Sequence, residues 1–417
     1  MIEGANATTN AEEPEIPTQF FVEPGSEDMV GILADLKRRR ENLLAGGINC
    51  IPFPFPRFRN EIPGIEQGQY VVVTANTKVG KTNCADYIYM FYVLDYAFNN
   101  PDKCSTHIIY VSLEEGKRKV KERYLSHLLW KLDGIRIAPA DLRSTSYDFP
   151  VPEEILEKLA SKRYQERLDF FEKCVQFETE DTNPTGILRI CEKYAKSVGV
   201  YKSHKMRSNG IAGKEVEVFD SYTQNDLNHY KIVIIDHVGL VDKEQGFTTK
   251  NAIDKMSEYC EKYLRNRYNY TAVVIQQQAA DVEGLEAIKQ KKMVPALASM
   301  GDSKYTSRDA DLVFGLFDPS RFGLPTWLGY VIQDETNNGL RNYSRFLYVL
   351  ANRNGEINGI CPLFFDGAVC NFEELPLPDE INAVSQYYNR ARDMKTYRQD
   401  RKSAVIMALA LTKKFLK

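Results

Sequence analysis

Apolar residues along the chain form short continuous runs that alternate with longer amphipathic stretches. Four runs are rich in β-branched and aromatic residues and have strand character: 70–74, 107–112, 231–236 and 271–276. Strands that are apolar along their whole length, with helices between them, indicate a parallel sheet covered on both faces. The pattern therefore predicts an α/β fold with a mostly parallel central sheet.

Three later apolar runs follow one another without long helices between them: about 311–317, 345–351 and 361–365. Because antiparallel strands can be joined by short turns, these runs are expected to add antiparallel strands to the edge of the sheet. The segment of about 118–229, between the second and third strands, is mostly helical in pattern. It is expected to form a helical insertion that ends in a surface hairpin or loop.

The two ends of the chain differ in composition and in charge. Residues 1–30 contain seven acidic residues and no Lys or Arg, whereas 381–417 contain nine Lys or Arg and two Asp. Residues 1–28 are polar with little apolar pattern and are expected to be disordered. Residues 29–48 are predicted as a linker helix that packs on its own domain or on a partner, and 379–417 as a basic helical tail.

The bulk composition is that of a globular protein, with 417 residues, a net charge of -3 and 43% apolar residues. No apolar run reaches the roughly 18 residues that a membrane-spanning helix needs, and the N-terminus has no secretory pattern. The eight cysteines do not have the spacing of a zinc site. A cytoplasmic protein with no membrane partner is therefore expected.

A phosphate-binding loop follows the first predicted strand directly and opens a helix. It consists of Ala75, Asn76, Thr77, Lys78, Val79, Gly80, Lys81 and Thr82. In this strand–loop–helix context, backbone N–H groups are expected to surround nucleotide phosphates, with Lys81 on the β and γ oxygens and Thr82 on Mg²⁺. The general pattern has Gly where this chain has Ala75. The loop predicts ATP and Mg²⁺ as cofactors.

Carboxylates at the ends of two other predicted strands extend this site. Asp236 ends a buried strand, which is the arrangement that holds the Mg²⁺ water shell in ATPases. Glu114 follows the strand 107–112 and is a candidate for the base that polarises water, with Glu115 as the competing candidate. The C-terminal ends of parallel strands meet at one edge of a sheet, so these carboxylates are expected beside the loop.

Gln277 follows the fourth predicted strand. Its position at the C-terminal end of this strand suits a sensor of the γ-phosphate. Because Gln276 and Gln278 flank it, a polar strand end without a catalytic role stays open as an alternative.

With these residues in order, the chain resembles the C-terminal RecA-type ATPase domain of the DnaB-like replicative hexameric helicases of bacteria and phages. The resemblance covers about residues 50–375 apart from the insertion, and it implies a RecA-like ATPase domain at 49–378. It rests on short motifs in the family's order: 65–68, 75–82, 112–114, 235–236 with Leu240, Gln277, 309–311 and 353–355.

The resemblance also implies roles for single residues. Glu114 corresponds to the catalytic base, Gln277 to the sensor, and Lys81 with Thr82 and Asp236 to the phosphate and Mg²⁺ site. Arg353 corresponds to an arginine finger that reaches the nucleotide of a neighbouring subunit, which implies a ring, hexameric in the family. A surface arginine in a turn is the alternative for this residue.

The family places a loop that faces the central channel and grips single-stranded DNA at the position of 299–308. In this segment Lys304 and Arg308 are expected to neutralise phosphates and Tyr305 to stack on a base. Loop 243–250 is a second candidate. The implied partners are single-stranded DNA, further copies of this chain, and a primase or loader protein.

Two departures from the family shape the functional hypotheses. Ala351 stands where the family has a Lys two positions before the finger, and the residues before the core contain no counterpart of the family's N-terminal helical domain. The leading hypothesis is an ATP-dependent replicative DNA helicase motor, encoded by a phage or mobile element and acting in the cytoplasm of a bacterial host. The alternative is a RecA-like recombination or regulatory ATPase, or a nucleotide-binding scaffold, without unwinding activity.

Overall fold

The computed structural model describes residues 29–145, 149–207, 215–279, 293–301, 305–334, 338–357 and 359–394. The chain divides into two compact units, Met1–Asn49 and Cys50–Lys417. In the first unit, helix α1 spans Met29–Leu44. It exposes a set of large apolar side chains: Met29, Val30, Ile32, Leu33, Leu36, Leu43 and Leu44.

The second unit alternates strands and helices, as the apolar pattern predicts. The strands in its described part are β1 (Ile51–Pro52), β2 (Gly64–Ile65), β3 (Tyr70–Ala75), β4 (Ser105–Ser112), β5 (Val175–Glu178), β6 (Gly199–Arg207), β7 (Glu215–Gln224), β8 (His229–Asp236), β9 (Thr271–Gln277), β10 (Leu312–Phe317), β11 (Thr326–Trp327), β12 (Tyr330–Val331), β13 (Ser344–Asn352), β14 (Ile360–Asp366) and β15 (Asn371–Glu374). The helices are α2 (Lys81–Asp86), α3 (Tyr92–Asn99), α4 (Lys117–Asp133), α5 (Pro139–Leu142), α6 (Glu153–Ala160), α7 (Lys162–Cys174), α8 (Pro184–Ser197), α9 (Thr249–Tyr259), α10 (Tyr305–Asp309) and α11 (Ile381–Asp393). Two π-helical turns, Tyr87–Phe91 and Cys260–Arg265, extend α2 and α9.

The central sheet has nine strands in the order β15–β14–β13–β10–β3–β9–β8–β4–β5. The six strands from β10 to β5 run parallel to one another. The three strands β13, β14 and β15 complete the other edge with antiparallel pairing. This confirms a mostly parallel sheet with antiparallel edge strands.

The first of the three later apolar runs departs from its predicted pairing. The expectation that 311–317 adds an antiparallel strand at the edge is wrong, because β10 lies beside β3 and parallel to it, with Leu312 opposite Val71. Residues 278–311 lie between β9 and β10, and this is enough chain for a crossover that returns to the same end of the sheet. β13 and β14 pair antiparallel as expected.

The segment of about 118–229 is not a purely helical insertion beside the core, because one of its strands belongs to the central sheet. It contains α4 to α8, but it also contributes β5, which pairs parallel with β4 as the outermost strand of the central sheet. The hairpin β6–β7 follows, with antiparallel pairing from Gly199–Gln224 to Arg207–Glu215. A four-residue strand such as β5 is too short to give a clear periodic signal.

The hydrophobic core lies on the two faces of the parallel strands. Val71, Val72 and Val73 in β3 and Ile232 and Val233 in β8 are fully buried. Each such side chain contributes roughly 1.5–3 kcal/mol when it leaves water. This burial fixes the register of the strands and hence the positions of the residues at their C-terminal ends. Among the described residues, no helix combines the length and the apolar character needed to cross a bilayer.

One buried cation interrupts this core. Lys231, near the start of β8, is fully buried, and its Nζ donates to the hydroxyl of Tyr222 at 2.9 Å and to Gln224 Oε1. The same Nζ lies 4.7 Å from the centroid of the Tyr222 ring. Burial lowers the pKa of Lys231 to about 7. The hairpin β6–β7, which supplies both hydrogen-bond partners, therefore covers a lysine that loses its proton easily.

We expect Lys231→Met to change how stability depends on pH. Between about pH 7 and pH 10 the unfolded chain holds a proton that folded Lys231 has lost, so this lysine makes the free energy of unfolding rise with pH by at most about 1.4 kcal/mol per unit. Urea unfolding at pH 6, 7, 8 and 9 should show the wild type gaining on Lys231→Met above pH 7. The exposed control Lys250→Met should show no such trend. A constant difference between wild type and Lys231→Met would contradict the lowered pKa.

Candidate functional site

The phosphate loop joins the end of β3 at Ala75 to the start of α2 at Lys81. Gly80 has a left-handed φ of 103°, and a Cβ added there would lie 3.1 Å from Phe365 Cε1. Backbone conformation and space therefore both favour glycine at this position. The first N–H groups of a helix have no intrahelical acceptor, so those at the start of α2 could donate to a bound anion.

Two arginines hold the carbonyl side of the loop. Arg345 Nε donates to the carbonyl oxygen of Val79 at 2.6 Å, and Arg321 Nη1 donates to the carbonyl oxygen of Thr77. In a trans peptide the C=O and N–H groups point in opposite directions, so these contacts leave the N–H groups on the other side. Sequence analysis missed both arginines, because they lie 266 and 244 positions away from their partners and no local signal marks them.

The two residues predicted for Mg²⁺ lie in contact. Thr82 Oγ1 donates to Asp236 Oδ1 at 3.1 Å, and the hydroxyl of Tyr110 donates to Asp236 Oδ2 at 3.3 Å. Burial, followed by the negative charge of Asp86, raises the pKa of Asp236 to about 7. A hydroxyl beside a buried carboxylate provides the oxygen ligands that Mg²⁺ prefers.

These residues fit a nucleoside triphosphate with Mg²⁺. Lys81 is 7% exposed and is the first residue of α2. Asn76 Oδ1 is buried and, within the described part of the chain, has no hydrogen-bond partner. Buried polar atoms are rarely left unpaired in proteins. The Asn76 oxygen is an acceptor, so a water molecule bound with the nucleotide can satisfy it by donating, whereas a phosphate oxygen cannot.

The geometry separates the two candidate bases. The N–H of Glu114 donates to the carbonyl oxygen of Asp236 at 3.3 Å, so Glu114 lies directly beside the Mg²⁺ residues. Its carboxylate is 47% exposed and lies 3.9 Å from His237 Nε2. Glu115 instead pairs with Arg123. Of the two carboxylates, that of Glu114 is therefore the better placed candidate for the base.

The three consecutive glutamines are also separated. Gln277 lies opposite Ala75 in the paired strands β9 and β3, and its Nε2 donates to Thr77 Oγ1 in the phosphate loop. Gln276 donates to the carbonyl oxygen of Gly301 instead, and Gln278 bonds to the hydroxyl of a β3 threonine. Gln277 is thus the glutamine that contacts the loop.

Arg353 lies at the other end of β3 from the phosphate loop. Its Nη1 lies 3.6 Å from Asp311 Oδ1 and 4.0 Å from Glu261 Oε1, and Asp311 in turn accepts from the N–H of Tyr70, the first residue of β3, at 2.8 Å. The six residues of β3 span roughly 16–20 Å. The structure therefore does not bring Arg353 to the phosphate loop of its own chain.

The predicted DNA contacts fall partly within the described residues. Lys304 lies outside them. Tyr305 is 41% exposed, and the guanidinium of Arg308 lies 4.2 Å from its ring centroid. The carbonyl oxygen of Arg308 accepts from Arg353 Nη2 at 2.6 Å, so α10 contacts the candidate finger. The second candidate loop lies near these residues. Its Phe247 lines a cavity of about 670 Å³ together with Tyr305 and Arg308, and four acidic residues also line this cavity: Asp254, Glu258, Glu261 and Asp309.

No family model matches this chain, and comparison with curated proteins gives no match. Among solved structures, one described as an ATPase domain matches with a TM-score of 0.56 and 16% identity, covering 84% of this chain and 100% of that one. A DnaB-like replicative helicase, described with its interactions with primase, matches with a TM-score of 0.56 and 15% identity, covering 84% of this chain and 68% of that one. The chain has the RecA-type ATPase fold of DnaB-like helicases.

The RecA-type fold confirms the fold class that the alternating strands and helices predict. At 15–16% identity the likeness shows the fold, and the chemistry has to be argued from the site itself. Open α/β sheets bind their ligands at the C-terminal edge of their parallel strands. In this fold that edge carries the phosphate loop, Glu114, Asp236 and Gln277.

We expect Asp236→Asn to stabilise the protein when nucleotide and Mg²⁺ are absent. The folded carboxyl group has a pKa of about 7, whereas an unfolded Asp has about 3.9. From about pH 4 to pH 7 the folded state holds the extra proton, so the contribution of this group to stability falls as pH rises. Urea unfolding in EDTA should show an advantage of Asp236→Asn that grows by at most about 1.4 kcal/mol per unit between pH 5 and pH 7.

Asp102→Asn, at an exposed carboxylate, is the matched control for Asp236→Asn. It should follow the wild type at every pH. If Asp236→Asn is less stable than the wild type at pH 8, the carboxylate is not the strained, buried charge that the geometry describes.

Proposed function

We propose that this chain is the ATP-hydrolysing motor of a replicative DNA helicase and that it moves along single-stranded DNA. The observation that carries the proposal is the convergence of the phosphate loop, the Thr82–Asp236 pair and Glu114 at one edge of the sheet. The likeness of the fold to a DnaB-like replicative helicase supports the helicase assignment. Single-stranded DNA, further copies of the chain and a primase or loader protein are the proposed partners, and a phage-infected bacterial cytoplasm is the proposed setting.

In this proposal each residue at the C-terminal edge of the parallel strands has a separate role in hydrolysis. The N–H groups of the loop and Lys81 bind the phosphates and hold the γ-phosphate in line for attack. Thr82 and Asp236 would hold Mg²⁺, which would supply positive charge to the phosphate oxygens. Glu114 accepts a proton from the attacking water, and Gln277, which contacts Thr77 in the loop, responds to the presence of the γ-phosphate.

The position of Arg353 favours a site shared between subunits. Its ion pairs with Glu261 and Asp311 fix it near the start of β3, and it is 43% exposed. A cation that cannot reach its own phosphates but is accessible to another molecule suits the role of a finger in trans. The exposed apolar side chains of α1 give the first unit a surface for a further copy of the chain. We therefore propose assembly into a ring, hexameric as in the family that the sequence resembles.

Adjacent glutamines connect the nucleotide site to the proposed DNA contacts. Gln277 contacts the phosphate loop, while Gln276 bonds to the carbonyl oxygen of Gly301 and to the hydroxyl of Thr306 in α10. A shift at the end of β9 on hydrolysis therefore moves the segment that carries Tyr305 and Arg308. Their exposed ring and guanidinium are proposed to contact a base and a phosphate.

A second candidate is a RecA-like recombination or regulatory ATPase, or a scaffold, that does not unwind DNA. One observation favours it: Ala351, where the resembled family has a lysine, packs against the hydrophobic core and offers no second cation beside Arg353. A forked-duplex strand-displacement assay separates the two candidates, because only the helicase releases the displaced strand in an ATP-dependent manner.

We expect Lys81→Ala to reduce steady-state ATP hydrolysis in the presence of single-stranded DNA by roughly 100-fold or more, because it removes a cation from the developing phosphate charge. Lys119→Ala, at an exposed lysine of α4, is the matched control and should hydrolyse like the wild type. Hydrolysis at the wild-type rate by Lys81→Ala would remove the basis of the site assignment.

Two inactive variants should restore activity when mixed. Arg353→Ala, like Lys81→Ala, is expected to hydrolyse ATP poorly by itself. In a randomly mixed ring at equal amounts, about a quarter of the interfaces combine an intact loop from one variant with an intact Arg353 from the other. Mixing should therefore recover a substantial fraction of wild-type hydrolysis. No recovery, although the subunits co-assemble, would contradict a site shared between subunits.

A further inference from the structure

A buried ion cluster lies directly behind the proposed nucleotide site, and its central residue, Arg123, has no part in the chemistry described so far. Asp86 follows Thr82 by four residues in α2, so the two side chains lie on the same face of the helix. The Asp86 carboxylate is fully buried, and its Oδ2 pairs with Arg123 Nη1. The Arg123 side chain comes from α4 and is 12% exposed. This cluster therefore joins α2, the helix that opens the phosphate site, to α4.

The same guanidinium also reaches the catalytic segment. Arg123 Nη2 pairs with Glu115 Oε2, and Glu115 is the neighbour of the proposed base Glu114. A planar guanidinium can donate to two carboxylates in fixed directions, whereas a lysine ammonium is a single point charge. Arg123 thus forms a bridge between Asp86 and Glu115 that a lysine cannot form in the same way.

Contacts on both sides of Glu114 hold its backbone in place. Its N–H and that of Leu113 donate to the carbonyl oxygen of Asp236 at 3.3 and 2.9 Å, which fixes the segment on one side of Glu114. On the other side, Ser112 Oγ donates to the carbonyl oxygen of Glu115, and the Glu115 side chain is held by Arg123. The Glu114 carboxylate itself is half-exposed, with the His237 ring 3.9 Å away. The backbone position of Glu114 is therefore fixed by the two anchors that flank it.

We infer that Arg123 is a positioning residue for hydrolysis, which acts through Glu115 to keep Glu114 turned toward the phosphate site and through Asp86 to fix that segment to α2. The inference rests on the proposed ATPase function. It assigns Arg123 and Glu115 a role in the chemical step and none in nucleotide binding. A cluster that only stabilised the fold would affect unfolding and leave the rate of the chemical step unchanged.

The test compares Glu115→Gln and Arg123→Lys in steady-state ATP hydrolysis by the full-length protein with Mg²⁺ and single-stranded DNA. Glu115 is 31% exposed. Glu115→Gln removes the negative charge that pairs with Arg123, which weakens the bridge and leaves Arg123 paired with Asp86. Arg123→Lys keeps the positive charge beside Asp86 but loses the planar guanidinium that donates to both carboxylates. Both variants should lower kcat by about 10- to 100-fold, since small misplacements of a catalytic group have effects of this size, while KM for ATP stays within about twofold of wild type. The double variant should be no slower than the slower single variant, because both changes break the same link.

Glu172→Gln is the matched control. It breaks the Lys121–Glu172 ion pair on the exposed side of the same helix and should leave kcat unchanged. Unchanged kcat in Glu115→Gln and Arg123→Lys, with or without a lower melting temperature, overturns the inference, as does a change in KM alone. These outcomes are distinct from failure of the proposed function, in which the wild-type protein itself does not hydrolyse ATP.

Discussion

The parallel register of four neighbouring strands is the constraint on which the rest of the site depends. β3 and β9 end level with each other, with Ala75 opposite Gln277, and β8 and β4 end level with each other, with Ser112 opposite Asp236. Because the strands are buried on both faces, a slip of one residue would turn core side chains outward. The same burial that stabilises the sheet therefore brings the residues around the proposed nucleotide site to one edge, although they are far apart in the sequence.

The site places charge where the solvent cannot screen it. Asp236 has a raised pKa because it is buried and lies near Asp86, and Asp86 itself is fully buried and paired with Arg123. Such charges reduce the stability of the nucleotide-free fold. In return, the groups that would bind Mg²⁺ or a phosphate chain are already desolvated and oriented. The hydrogen bonds from Arg321 and Arg345 to the loop carbonyls serve the same preorganisation.

Much of the fold and of the proposed nucleotide site could be predicted from the sequence, because apolar runs and the 75–82 motif are local signals. The parallel direction of β10 could not, since periodicity does not reveal strand direction and the crossover before it has little pattern. Neither could the choice between Glu114 and Glu115, which are neighbours in the sequence. The structure separates them because the N–H of Glu114 contacts the carbonyl oxygen of Asp236, whereas Glu115 pairs with Arg123. The place of Arg353 at the far end of β3 also required the structure, because it depends on an ion pair with Asp311 from another strand end.

We propose that the loop 75–82 and Asp236 of one subunit form a complete catalytic site only together with Arg353 of a neighbouring subunit. The most direct test is a cryo-electron microscopy structure of the full-length chain with Mg²⁺, a slowly hydrolysed ATP analogue and single-stranded DNA. We expect phosphates within the loop, the metal at Thr82, and the Arg353 guanidinium of an adjacent subunit within hydrogen-bond distance of the γ-phosphate. A nucleotide bound in the loop with no arginine from a second subunit near its γ-phosphate would contradict a catalytic site shared between subunits.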